Sequence, residues 1–501
     1  MENLFKLSED GKTLIKVLSR ILNHITIPSG VEVIGKEAFA HYKVLLSVDI
    51  PETVTTIEEY AFYGCSSLQS INIPNSVNRI ETSAFSGCKS LQGFIIPDNV
   101  TEIGLCAFED CKALQSIKIS NAITEINWRI FKGCSSLQSV VIPDGVTTIR
   151  QGAFSGCKSL QSILIPDSVT EIGLYAFDGC TALQSINIPK NVTTIGEGAF
   201  DGCKALKSID ITEENQHYAS IDGLLYSKDL TKIERAIAGV KQKTYSIPAS
   251  VTTIGKSAFD SCTIQSIDIP SSVTTIDEFA FYGCKSLKNI EIPASVTAIE
   301  KGAFKGCTSL KHIDLPNSIT TIGDIAFDGC KKLQSINLPN GITKVGGLLN
   351  CTSLQSIDIP SSVTKIDGSA FKGCTSLQHI NIPDSVTEIS DEAFSGCTSL
   401  QSIDIPDSVT EIGYFAFENC EMLQSIDIPA SVTTIDFMAF ENCISLKCIH
   451  IHSGEIDSLD IDSDSFKGVD KDKCILYVPA GMKQMYSTHP VFGRFKQIVE
   501  E

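Results

Sequence analysis

A chain of 501 residues would ordinarily suggest three or four globular domains, but here 16 of the 18 prolines and 16 of the 19 cysteines fall at one phase of a repeating unit. With 43% hydrophobic and 20% charged residues the chain can bury a large core, which excludes a disordered protein. A net charge of −19 argues against a nucleic-acid partner, which needs a basic surface. No apolar run reaches the ~18 residues of a membrane helix, so no membrane insertion is expected.

In chain order, residues 1–27 read as a hairpin cap. The stretch Leu7-Ser8-Glu9-Asp10-Gly11-Lys12-Thr13 carries a polar turn and precedes the first repeat proline, Pro28, by about 20 residues. A first repeat block follows over 28–211, with Pro28, Pro51, Pro74 and Pro97, then Ser120 in the slot, then Pro143, Pro166 and Pro189, all 23 residues apart. Residues 212–247 interrupt the period. They repeat the signal of the N-terminus in Tyr226-Ser227-Lys228-Asp229-Leu230-Thr231 and read as a hairpin island. A second block spans 248–452, from Pro248 to Pro429, with short steps of 22 residues after Pro248 and 21 after Pro339. A degenerate repeat and C-terminal cap fill 453–501. The cap is expected as a strand at Cys474–Val478, a Pro-Ala-Gly turn, and a helix from about Met482 that packs Met485, Tyr486, Phe492 and Phe495 on the last coil.

The consensus of about 17 copies is I-P-x-S-V-T-x-I-G-x-x-A-F-x-G-C-x-S-L-Q-S-I-x. In L-Q-S-I-x-I-P the apolar residues alternate, which predicts a short strand with Ile186 and Ile188 inward and Ser185 and Asn187 outward. Proline ends that strand because it cannot donate to a ladder. V-T-x-I-G predicts a second extended piece, its glycine opening an irregular or 3₁₀-like turn over A-F-x-G-C. One such unit cannot bury its own apolar edge, whereas stacked units can. The fold class is thus a leucine-rich repeat solenoid, a right-handed coil of short parallel strands with one hairpin island and terminal caps.

The segment IPDSVTEIGLYAFDGCTALQSINIP (165–189) and its copies resemble the BspA-like leucine-rich repeats, over roughly residues 25–452. The island 214–248 and the ending 474–501 are similar to those of the bacterial type. The resemblance implies a non-enzymatic protein-binding scaffold, secreted or at the cell surface, that works by adhesion or host-protein recognition. The first 25 residues, read by themselves, lack the basic start and apolar core of a secretory leader, which points instead to a cytoplasmic chain and to an intracellular scaffold or regulator.

Sixteen cysteines stand three residues after the Phe slot. The identical inward setting of every rung suits a buried thiol, although rungs about 4.8 Å apart are also within disulfide range. No phosphate-cradling, zincin or nucleophile-elbow motif is present, so neither an enzyme nor a cofactor is expected. Function is expected on the outward strand column. In the first block that column carries Ile95, Lys118, Val141 and Leu164, where the apolar side chains either form a partner patch or repack against Phe94 or Gln92. In the second it carries Asp268, Glu291, Asp314, Asp358, Asp404 and Asp427, an acidic strip suited to a cation or a basic partner unless it is only a duplicated soluble strand. Cys448, His450 and His452 share a strand face near Asp427 and make a weak metal candidate. Trp128, Tyr175, Phe279, Tyr414, Phe415, Phe437 and Met438 are read as edge packing or a ligand groove.

Overall fold

A computed structural model of the chain describes residues 4–237 and 242–501. Two compact units result, Met1–Leu230 with Ala236–Val240, and Thr231–Arg235 with Lys241–Glu501. The division falls inside the stretch expected as an island. Both units are stacks of irregular coils, and each coil contributes to three parallel ladders.

The first ladder is formed by the S-I-x segments, as in Ser185–Ile188 against Ser208–Ile211, where Ile186 faces Ile209 and Asn187 faces Asp210. Burial alternates as the sequence predicts: Ile186 and Ile188 are buried, while Ser185 and Asn187 are exposed. The second ladder is the x-I pair of V-T-x-I, two residues per coil, with Ile34, Ile57, Ile80 and Ile103 in register.

The third ladder runs through A-F-x-G-C, the irregular turn that the sequence predicts. Alternate amides bond locally, with Ala61 N–H donating to Glu58 O (3.1 Å) and Tyr63 N–H to Tyr60 O (3.0 Å). The amides between them donate to the following coil, Tyr60 to Thr82 O (3.0 Å), Phe62 to Ala84 O (2.8 Å) and Gly64 to Ser86 O (2.7 Å). Turning successive N–H groups to one side requires left-handed residues in alternation, and Tyr60 (φ 58°) and Gly64 (φ 67°) supply them. The glycine of V-T-x-I-G has a different role from the one expected. Gly173 does not take positive φ; a Cβ there would lie 2.7 Å from Gln151 N, so the slot is kept bare by the close approach of the preceding coil.

Inside these ladders identical side chains stack. In the first unit Phe39 to Phe200 form one column of near-parallel rings with centroids 4.7–5.9 Å apart. In the second unit the column runs from Phe259 to Phe327 and from Phe371 to Phe466; between them the shortened coil places buried Leu348 in the Phe slot.

The cysteines form the neighbouring column, and every one of the 19 is a free thiol. Ladder thiols donate to the Phe carbonyl of the preceding coil, as Cys65 to Phe39 O (3.1 Å) and Cys134 to Phe108 O (3.1 Å), and Cys374 donates to Leu348 O (3.3 Å), which stands in the Phe slot. Serine of I-P-x-S-V has a comparable use, since Ser76 Oγ donates to Val54 O (2.6 Å) and Ser168 Oγ to Val146 O (2.6 Å). The one coil with Ser120 in the proline slot is a compensated swap. Ala122 stands where the serine should be, and Ser120 Oγ donates to Val100 O instead (2.6 Å).

The N-terminal cap is an antiparallel hairpin, Phe5–Leu7 with Thr13–Val17, whose second strand enters the second ladder beside Ile34. Its turn and that of the island are alike. Ser8 Oγ and Ser227 Oγ donate to Asp10 and Asp229, and Gly11 N–H and Leu230 N–H return to the two serine carbonyls (3.0 and 2.9 Å). The island also contains the antiparallel pair Tyr218–Ile221 and Leu224–Ser227. At the C-terminus Ile475–Val478 continues the first ladder and the helix Lys483–Thr488 follows. Tyr486, Phe492 and Phe495 are buried, whereas Met485 is 41% exposed and does not pack on the last coil as expected. A closing strand, Gln497–Glu500, absent from the sequence reading, pairs in parallel with Ile475–Val478.

Burial pushes the Cys65 and Cys111 thiols up to about 12 and raises the Cys88 and Cys134 thiols well above the ordinary value. A chromogenic disulfide reagent at mildly alkaline pH should therefore titrate no more than one thiol quickly, the half-buried Cys448, and all 19 in denaturant. Ile186→Asp puts an unpaired charge into the coil interior and should cost more than about 4 kcal/mol in urea unfolding, against less than about 0.5 kcal/mol for the outward Asp358→Lys.

Candidate functional site

Among the positions that the repeat leaves free to vary is the residue between the two strand isoleucines, which forms an outward column on the first ladder. Its rungs are in register: Ile95 faces Lys118, Lys118 faces Val141, and Val141 bridges to Leu164. Ile95, Val141 and Leu164 are 65%, 75% and 71% exposed, so the apolar side chains project to solvent and do not repack. Phe94 points the other way, buried edge-on between Phe85 and Phe108. Lys118 Nζ reaches Asp98 (3.3 Å), which also accepts from the Asn121 amide; that bond first, and then the lysine, hold the Asp98 carboxyl below the usual range.

Over the first coils the strand face forms an open depression of about 650 Å³, with Ser47, Ser70, Gly93 and Ser116 as its small residues and Asp49, Asn72, Ile95 and Lys118 along one side. A second depression, of about 420 Å³, lies over the first coils of the other unit, bordered by Asp268 and Glu291. There the acidic column continues outward through Asp314, Asp358, Asp404 and Asp427, with Asp404 and Asp427 on bridged neighbouring rungs.

The Cys448, His450 and His452 group does not converge. His450 stacks on Tyr477 (4.5 Å) and bonds through Nδ1 to Glu501 (2.9 Å), while His452 Nε2 meets Asp427 (2.6 Å). His452 occupies a proline slot and uses the amide that proline lacks, donating to Ile428 O (3.1 Å). Among the described residues no three or more His, Cys, Asp or Glu side chains are placed to hold a metal ion, and no helix is long and apolar enough to cross a membrane.

Two histidine clusters escaped the sequence reading because each joins a histidine to a serine 23 residues on. His312 Nδ1 meets Ser335 Oγ (2.7 Å) on the next coil and its Nε2 meets Asp314 (3.0 Å) on its own strand; His24 contacts Ser47 (2.8 Å) and Asp49 (3.1 Å), both on the next coil. Both clusters lie on strands of the first ladder. They are cross-strand hydrogen-bonded rungs.

Most of the turn-edge aromatics are packing. The Tyr175 ring lies over Gly198 and the Phe279 ring over Gly302, each filling the space of an absent side chain in the next coil. Trp128 carries the Arg129 guanidinium 4.2 Å from its ring centre, and Phe415 meets Phe437 edge-on at 5.6 Å. Tyr414 remains half exposed.

A parallel coil of this kind, with a repeating interior and a variable outer strand column, defines a leucine-rich repeat protein, a fold typical of protein-binding scaffolds. Residues 19–138, 124–238, 231–349 and 347–471 match the family described as BspA type leucine rich repeat region, and the chain belongs to that family. A leucine-rich cell surface protein from Faecalibacterium prausnitzii is similar at 35% identity over 73% of this chain and 93% of its own, with a TM-score of 0.55. Leucine-rich repeat proteins from Bacteroides ovatus (28% identity, 85% and 93% coverage, TM-score 0.37) and Eubacterium ventriosum (22%, 82% and 91%, 0.48) are also similar. No curated protein matches the chain.

On the side of the second ladder, Asp436 is half-buried near Glu411, Asp391, Asp460 and Asp462, and burial first, then these carboxylates, raise its pKa. A folded-state pKa above the unfolded one means stability present at acid pH and lost as pH rises through the folded value. Asp436→Asn should accordingly raise the thermal midpoint at neutral pH, and the gain should vanish when the midpoints are compared at a pH below the carboxylate range.

Proposed function

We propose that this protein is a surface adhesin or host-recognition scaffold that binds another protein through its exposed strand face. The observation that carries the reading is the division of labour within each coil. The inward Ile, Phe and Cys positions repeat almost without change, whereas the outward column passes from apolar rungs at Ile95, Val141 and Leu164 to acidic rungs at Asp268, Glu291, Asp314, Asp358, Asp404 and Asp427. Side chains that the fold does not require are the ones that differ, which is what a recognition surface needs. The cell-surface description of the Faecalibacterium prausnitzii relative supports the location.

Fractionation of the native source combined with pull-down from host extracts tests both parts. The protein is expected in the surface or secreted fraction, and a recovered partner should be lost with Val141→Glu, Asp358→Lys, or both. Confinement to the cytosol would exclude adhesion in favour of an intracellular scaffold. Undiminished partner recovery by both variants would exclude the strand column.

A further inference from the structure

Coil by coil, the outward column is bordered by small side chains on one side, Ser70, Ser116, Ser139 and Ser162, and by the residue after the proline on the other. Coil three departs from this pattern at two adjoining positions: Gly93 replaces the serine, and Ile95 replaces a polar residue such as Asn72 of the coil before. The glycine is not there for the backbone. It does not take positive φ, and a Cβ added at 93 would meet only Ser116 Oγ, at 3.9 Å. The fold therefore tolerates serine at this point, and its absence lowers the floor of the 650 Å³ depression where Ile71 is only half-buried and Ile95 stands exposed.

From this notch the apolar row continues over Val141 and Leu164 on consecutive rungs. Lys118 turns its ammonium to Asp98, so its methylene stem is what it adds to the row. Beside the row runs a second one, the residues after the proline slots: Asp98, Asn121, Asp144 and Asp167, all exposed. Asp98 and Asp167 share their charge with Lys118 and Lys190, while Asp144 has no ion-pair partner among the described residues. An apolar rail next to an acidic rail fits one kind of occupant, because a neutral apolar surface would leave the carboxylates desolvated and an acidic one would be repelled.

We infer that the first unit recognises a protein segment in which apolar side chains alternate or interleave with lysine or arginine, anchoring one apolar side chain over Gly93 and laying others on Val141 and Leu164 while its cations face Asp144 and its neighbours. This rests on the strand-face reading above and names the partner chemistry for one part of that face.

The probe is a displayed library of random 12-residue peptides selected against the full chain, with enriched sequences then synthesised and titrated. Enriched peptides are expected to combine apolar residues with Lys or Arg. Gly93→Ser and Ile95→Asn, which restore residues found in coil two, and Val141→Asn should each weaken binding roughly tenfold or more at unchanged thermal midpoint. Asp144→Asn should weaken it and flatten its salt dependence. Asp358→Lys, in the other unit, should have no effect. The inference is overturned by peptides that are acidic, by peptides indifferent to Gly93→Ser and Val141→Asn, or by a selection that enriches nothing. A host partner whose capture depends on Asp358 alone would overturn it too, while leaving the strand-face scaffold intact.

Discussion

In coil after coil the amide of the Phe slot donates to the carbonyl of the Ala slot in the coil that follows, and the remaining architecture depends on that bond. For Phe62 N–H to reach Ala84 O at 2.8 Å, two turn residues must be left-handed so that three successive outward amides point along the stack. The same contact sets neighbouring Phe rings 4.7–5.9 Å apart, close to the strand spacing of a sheet, so rings, strands and thiols repeat with one translation. A coil that lost this register would misalign both β ladders at once.

The neighbouring slots can be understood as consequences. The Phe carbonyl left facing the interior accepts the local Cys amide and, with its second lone pair, the thiol of the next coil, as Phe62 O does from Cys65 N–H and Cys88 Sγ. Cysteine is small enough for the site, apolar enough to be buried there, and still a weak donor. The serine hydroxyl does the same for the valine carbonyl at the other corner. Little buried side-chain polarity is left unsatisfied: among the described residues Ser431 Oγ is buried without a hydrogen bond. An interior so constrained leaves outward positions, the strand column among them, as the places where coils can differ without loss of fold. The column's contrast between apolar and acidic rungs belongs to different units, each presenting its own depression.

Much of this was legible in the sequence because the repeat averages over many coils. Period, strand positions and inward isoleucines are periodic, and repetition makes each of them readable. Local irregularities were less readable. Met485 was expected on the last coil because it sits in an apolar cluster, yet Tyr486, Phe492 and Phe495 already fill that surface. The closing strand Gln497–Glu500 carries too short a pattern to announce itself, and it forms because Ile475–Val478 offers an unpaired edge.

The candidate site divides along the same line. The sequence by itself determined which residues occupy the outward column, since period-two alternation assigns Ile95, Val141, Asp358 and their neighbours to one face. Only the tertiary structure decided what lies beside them, because such neighbours are about 23 residues away and are selected by the stacking register. It turned His450 and His452 toward separate carboxylates, brought Asp98 to Lys118, and showed that Gly93 is bare without a backbone reason. Periodicity fixes the direction of a side chain, whereas contact between coils depends on the translation that relates them.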